Sequence, residues 1–248
     1  MRKFGLIGYP LGHSFSKGYF ENKFKAENIN DCTYENFPLE KIEKLRDLIF
    51  RIPDLTGLNV TIPYKEQVMS FIDELDPEAD RVGAVNTIRI YRSANEYHLK
   101  GYNTDIIGFE KPLTDVLKPI HNAALVLGTG GASKAVVYVL KKQGINYQYV
   151  SRVPKNASIL SYSDLTPEII SSCKIIINTS PSGMYPHIDN CPQIPYNTIG
   201  PDHILYDLIY NPEMTLFLKR GKEKKATLIN GLPMLYGQAE ESWKIWNG

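Results

Sequence analysis

Three glycines, Gly128, Gly130 and Gly131, stand directly behind an apolar run at 123–127 and directly ahead of a second apolar stretch at 132–140. Glycine permits a tight turn and lets a phosphate come close to the backbone. A helix that begins there offers free N–H groups and a partial positive charge. Strand, glycine turn and helix is therefore the arrangement that cradles a dinucleotide pyrophosphate. Ala132 and Ser133 complete the loop, with Ser133 where a third glycine usually stands. A plain turn between strand and helix is the other reading of the same glycines. About twenty residues further on, an NAD site carries an acidic side chain for the ribose hydroxyls. Here Ser151, Arg152 and Lys155 occupy that place, and the first acid after them is Asp164. A guanidinium offers several donors and a fixed charge, which suits a 2′-phosphate and points to NADP over NAD. A solvated loop is the alternative.

Four polar clusters lie upstream. Ser14 and Ser16 sit near a helix start, where they cap the helix or hold an anion. Asn59 and Thr61 share one face of an extended segment, and Lys65 follows Pro63. Asn86 and Thr87 interrupt an apolar strand pattern, and Thr104 and Asp105 open a helix or cap it. Each cluster alone has a structural reading. Together, at the carboxyl ends of strands in one sheet, they describe a polar site.

The elements that position these residues are legible as alternating patterns. Strands are expected at 3–8, 31–37, 58–61, 82–91 and 97–101, with helices at 16–27, 39–50 and 64–71 and a turn at Asp76 and Pro77. Strands at 123–127, 146–150, 174–178, 204–208 and 226–229 follow, with a long last helix at 232–246. Pro112 predicts a kink or an early stop in the helix after Asp105. The order implies an α/β chain of two domains, each with a mostly parallel sheet covered by helices. Composition agrees: 248 residues, 43% hydrophobic and 22% charged, with a net charge of +1. No basic run suggests nucleic acid, and no stretch approaches the ~18 apolar residues of a membrane span. Cys32, Cys173 and Cys191 form no paired spacing, which suits a reducing cytoplasm. The five histidines show no metal-ligand spacing.

Beyond the glycine loop, the segments Gly-Tyr-Pro-Leu-Gly-His-Ser-Phe-Ser at 8–16, Asn-Val-Thr-Ile-Pro-Tyr-Lys at 59–65, Gly-Ala-Val-Asn-Thr at 83–87 and Gly-Tyr-Asn-Thr-Asp at 101–105 occur in order. Asn-Thr-Ser-Pro-Ser-Gly-Met at 178–184, the stretch 206–212 and Asn-Gly-Leu-Pro-Met-Leu-Tyr-Gly-Gln at 230–238 complete the series. In these motifs the chain resembles the shikimate dehydrogenase family from about residue 4 to residue 243. Lys17 departs from the pattern, standing where the family usually has proline.

The resemblance implies a substrate domain at 1–103, completed by 231–248 as the last helix returns to it, and a Rossmann-type NADP domain at 104–230. It implies reduction of 3-dehydroshikimate to shikimate by NADPH. Lys65 would act as the acid–base group and Asp105 as its partner; burial in an apolar pocket is what brings lysines toward such work. Ser14 and Ser16 would hold the substrate carboxylate. Thr61, Asn86 and Gln238 would bind its hydroxyls or ketone, with Asn59 a lesser candidate. Tyr210 is placed with the substrate residues and, like Met234, near the nicotinamide; Thr179 and Gly231 join the cofactor set. The expected partners are small molecules only, in a monomer or homodimer. A quinate-using member of the same family, a folate-linked dehydrogenase and a non-catalytic binding protein are the rival readings.

Overall fold

The computed structural model describes residues 1–12, 15–93 and 96–248. Ser14 therefore lies outside the described residues. The chain forms two compact units, one of Met1–Thr104 with Ala239–Gly248 and the other of Asp105–Gln238.

The first unit runs β1 (Arg2–Gly8), α1 (Phe15–Ala26), β2 (Cys32–Pro38), α2 (Leu45–Arg51), β3 (Leu55–Val60), β4 (Glu74–Leu75), α3 (Pro77–Val82), β5 (Thr87–Ser93) and β6 (Glu96–Tyr102). Its sheet has the order β2-β1-β3-β5-β6-β4. β1 pairs in parallel with β2 and β3, whereas β5 runs antiparallel to both β3 and β6. On one face an aliphatic core gathers Ile7, Leu45, Ile49, Leu58, Val68 and Ile88. The other face is aromatic: Phe4, Phe20, Phe24 and Tyr34 pack with Trp243 and Trp246. Trp246 stacks on Phe4 at 4.8 Å and donates its Nε1–H to the Ile88 carbonyl at 3.0 Å. The tryptophans of the last helix are thus core residues of this unit.

Several local expectations are corrected here. The helix expected at 64–71 is only a 3₁₀ turn at Gln67–Phe71, and the one expected at 39–50 begins with a 3₁₀ turn at Ile42–Lys44. The turn at Asp76 is a helix start: the Asp76 side chain accepts from the Glu78 N–H, and Pro77 fills the first helical position. The apolar run 82–91 is not one strand. Val82 ends α3, and Gly83 closes it in the left-handed region at φ 68°. Asn86 thus lies just ahead of β5 and not within it.

The second unit runs α4 (Asp105–Thr114), β7 (Ala123–Leu127), α5 (Gly131–Lys142), β8 (Asn146–Ser151), β9 (Ile159–Ser161), α6 (Pro167–Ser172), β10 (Ile175–Asn178), β11 (Ile204–Asp207), α7 (Leu216–Glu223) and β12 (Thr227–Ile229). The last helix, α8 (Leu232–Asn247), starts here, and its residues from Ala239 onward group with the first unit. The sheet order is β12-β11-β10-β7-β8-β9, and all its pairings are parallel. Such a sheet needs apolar strands, and Leu125, Val126, Leu127 and all of Ile175 to Ile177 are fully buried. β9 and α6 are short additions that periodicity alone does not reveal. Pro112 does not stop α4, which continues to Thr114.

Candidate functional site

In the first unit, the antiparallel run of β5 brings the polar clusters together. β1, β3 and β6 all end at one rim of the sheet, and β5 starts there. Asn59 lies opposite Thr87, and Thr87 opposite Tyr102. The Asn86 carbonyl accepts from Val60 N at 2.8 Å, and Asn86 N donates to the Tyr102 carbonyl at 3.0 Å. Thr61, Asn86, Asn103 and Thr104 therefore share that rim, beside the segment that leaves β1.

Lys65 is half-buried, and its backbone is held from two sides. Val85 N donates to the Lys65 carbonyl at 2.7 Å. The preceding Tyr64 is buried, and its hydroxyl donates to the Leu39 carbonyl at 2.6 Å. Burial pushes the Tyr64 phenol up.

Behind the rim runs a buried hydrogen-bond network. Tyr34 Oη donates to Asn59 Oδ1 at 2.9 Å, and Asn59 Nδ2 donates to Ser242 Oγ at 2.9 Å and Thr87 Oγ1 at 3.2 Å. Ser242 and Thr104 hydroxyls lie 3.2 Å apart. Asn59 thus spends its amide on this buried network. Tyr34 also bonds the half-buried Ser16, so the network reaches the start of α1.

Asn86 is different. Its Oδ1 accepts from Thr104 N at 2.7 Å and Thr104 Oγ1 at 3.2 Å. The backbone donor fixes which end of the amide is oxygen. Nδ2 is then left buried with no hydrogen-bond partner among the described residues. An unmet buried donor costs free energy, and a ligand hydroxyl or carbonyl would satisfy it.

In the second unit the glycine loop is built as the sequence suggests. Gly128 has φ 121°, and a Cβ there would come 2.7 Å from Thr179 Oγ1. Only glycine suits both conditions. Gly130 caps α5, and a Cβ on it would meet nothing within 4 Å, so the space over the helix N-terminus is open. Ala132 is half-buried in the first turn of α5. Ser133 is buried, and its hydroxyl turns back to the Gly130 carbonyl at 2.7 Å, so it shapes the loop.

Parallel pairing brings Ser151, Arg152, Lys155 and Thr179 beside this loop, while Gly231 follows β12 at the edge of the sheet, with β11 and β10 between. Gly128 N donates to the Val150 carbonyl at 2.8 Å, so Ser151, Arg152 and Lys155 leave β8 next to it. Arg152 and Lys155 are exposed. On the other side, Thr179 N and Oγ1 both donate to the Leu127 carbonyl at 3.0 Å. Gly231 N donates to the Ile209 carbonyl at 3.0 Å, and a Cβ at Gly231 would lie 2.1 Å from the Leu208 carbonyl oxygen. Tyr210 follows β11, and burial raises its phenol. Met234 is buried in α8. Asp105, 5% exposed, opens α4 three residues before Gly108, on the same helix face. That face meets α8 at Met234 and Gln238.

Asp207 lies within the 206–212 stretch, at the end of β11, and none of the site readings above used it. It is fully buried at the end of β11 among neutral donors, and burial raises its carboxyl to about 6. Thr215, Ile209 N and Asn178 face it; the Tyr196 phenol, itself beside Arg220, feels its charge. The folded value exceeds the unfolded one, so the native state loses stability as pH rises from about 4 through about 6. Asp207→Asn removes that loss. Relative to the parent, its unfolding free energy should gain about 1–1.5 kcal/mol between pH 5 and pH 8, read by thermal melts at both. A constant difference between the two pH values would refute the carboxyl as the source.

Residues 6–88 match the family model described as the shikimate dehydrogenase substrate binding domain. The shikimate dehydrogenase (NADP(+)) of Clostridium beijerinckii is 42% identical over 99% of this chain and 92% of its own length. That of Halothermothrix orenii is 39% identical over 98% and 90%. The crystal structure of shikimate 5-dehydrogenase from Thermus thermophilus, in complex with NADP(H) and shikimate, superposes with a TM-score of 0.85 at 28% identity. That match covers 100% of this chain and 94% of the other. Glycine loop, polar rim and whole-length likeness agree, and the chain belongs to the shikimate dehydrogenase family.

Proposed function

We infer that this chain is an oxidoreductase that reduces 3-dehydroshikimate to shikimate with NADPH. The observation that carries the reading is likeness along nearly the whole chain to relatives named shikimate dehydrogenase (NADP(+)). The residues fit both ligands. The open N-terminus of α5 suits a pyrophosphate, and the exposed Arg152 and Lys155 suit a 2′-phosphate. The unmet Asn86 Nδ2 suits a hydroxylated ring.

In this reading Gly128, Gly130, Gly131, Ala132 and Ser133 form the phosphate loop, with Ser151, Arg152, Lys155, Thr179, Gly231 and Met234 around it. Bound NADPH supplies the hydride. Ser14 and Ser16 hold the substrate carboxylate, while Thr61, Asn86, Gln238 and Tyr210 orient the ring. Lys65 gives a proton to the carbonyl oxygen as it becomes an alcohol, and Asp105 is its partner in that transfer. Hydroxyl and amide contacts select the substrate, because an analogue lacking a group leaves a buried donor unmet.

The test is loss of NADPH absorbance on adding 3-dehydroshikimate, with shikimate and quinate assayed in the reverse direction. Turnover of 3-dehydroshikimate is the expected result; its absence in folded protein would refute the reading. The Arg152→Ala variant should lose about tenfold in the ratio of kcat/KM for NADPH to that for NADH. An unchanged ratio would remove Arg152 from cofactor choice.

A further inference from the structure

The rim of the second unit is made of loops, and loops hold a binding geometry only when something ties them. Three of them leave the carboxyl ends of β10, β11 and β12; groups at the first two bond one side chain directly, and the third reaches it through the Ile209 backbone. Asp207 Oδ1 accepts from Asn178 Nδ2 at 3.0 Å and from Ile209 N at 3.1 Å. Its Oδ2 accepts from Thr215 Oγ1 at 2.6 Å.

Each partner passes the restraint on. Asn178 Oδ1 accepts from Ser180 N at 3.1 Å and Ser180 Oγ at 2.7 Å, and its Nδ2 also reaches the Ser182 carbonyl at 3.2 Å. The turn that contains Thr179 is thereby set. Ile209 carries the backbone into Tyr210, and its own carbonyl receives Gly231 N. Thr215 caps α7 by accepting from Leu218 N at 3.3 Å. A buried carboxylate met only by neutral donors is a costly way to end a strand, and an apolar residue would fill the space more cheaply.

We propose that Asp207 is a positioning residue for the cofactor, a fastener that holds the loops after β10, β11 and β12 in the shape that binds NADPH. The proposal rests on the reading of this rim as the NADPH site. Asp207 touches no reacting atom. It acts through Asn178 on the turn at Thr179, and through Ile209 on Tyr210 and Gly231.

Asp207→Asn keeps the size and one oxygen but turns an acceptor into a donor against Thr215. NADPH affinity, measured by fluorescence titration without substrate, should fall about tenfold. The KM for 3-dehydroshikimate should stay within about twofold. Thr215→Val should weaken NADPH in the same direction, and Thr215→Ser should restore it. A residue that only supported the fold would change melting and leave NADPH affinity of the folded protein alone. Wild-type NADPH affinity in Asp207→Asn overturns the proposal, whatever its melting temperature. If that variant does not fold, the threonine pair decides: equal affinity in Val and Ser overturns it. Weakened NADPH binding in a chain whose wild type reduces no 3-dehydroshikimate would sink the function and leave the fastener standing. A wild type that binds no NADPH would sink both.

Discussion

Lys65→Ala should lower kcat by about 10²–10⁴-fold, while the KM for 3-dehydroshikimate should change by less than about threefold. The split follows from the proposed role. A proton donor matters most in the transition state, when charge gathers on the carbonyl oxygen, and little when the substrate merely sits in place. The loop should survive the substitution, because its geometry is set by other groups: the Tyr64 hydroxyl on the Leu39 carbonyl, and Val85 N on the Lys65 carbonyl. Lys65→Arg keeps the positive charge, but a guanidinium does not give up its proton, so arginine should not rescue turnover. Steady-state kinetics with circular dichroism on the same samples makes the check. Near wild-type turnover in folded Lys65→Ala would remove this residue from proton transfer. A rise in KM with unchanged kcat would make it a binding group instead.

The stretch from β7 into α5 is the most readable part of the chain. An apolar run and a glycine turn are local signals, and the strand at 123–127 matches that expectation residue for residue. Asn86 shows where local signals stop. Its neighbours Val85 and Ile88 continue an apolar pattern, so the segment reads as one strand. What breaks it is the left-handed Gly83 at the end of α3, and what brings Asn86 to the rim is the antiparallel run of β5. Strand direction is a long-range property with no local mark. Asp207 is hidden for the same reason. As a sequence it is an acid before a turn, and only the return of Asn178 and Thr215 reveals three donors around it. The short α6 and β9 carry too few residues for a period to emerge.

Gly108→Ala should destabilise the second unit by about 1–3 kcal/mol and weaken activity as well. On α4 a new Cβ at this position would lie 2.4 Å from the Met234 carbonyl oxygen, 3.0 Å from Gln238 N and 3.3 Å from Gln238 Cβ. Facing it, a Cβ on Gly237 would lie 3.0 Å from Gly108 Cα. Two glycines thus let the helices cross backbone to backbone, and neither neighbour is a flexible chain end that can swing aside. The helices must separate, and the groups beside the crossing are Asp105, one turn earlier on α4, and Gln238 on α8. Lower melting temperature and lower kcat/KM for 3-dehydroshikimate should therefore appear together. Gly18→Ala is the control. That glycine is inside α1 with nothing within 4 Å of an added Cβ, so alanine should stabilise by about 0.5–1 kcal/mol through helix propensity alone. If Gly108→Ala melts like Gly18→Ala and keeps full activity, the close crossing is not what holds Asp105 and Gln238 in place.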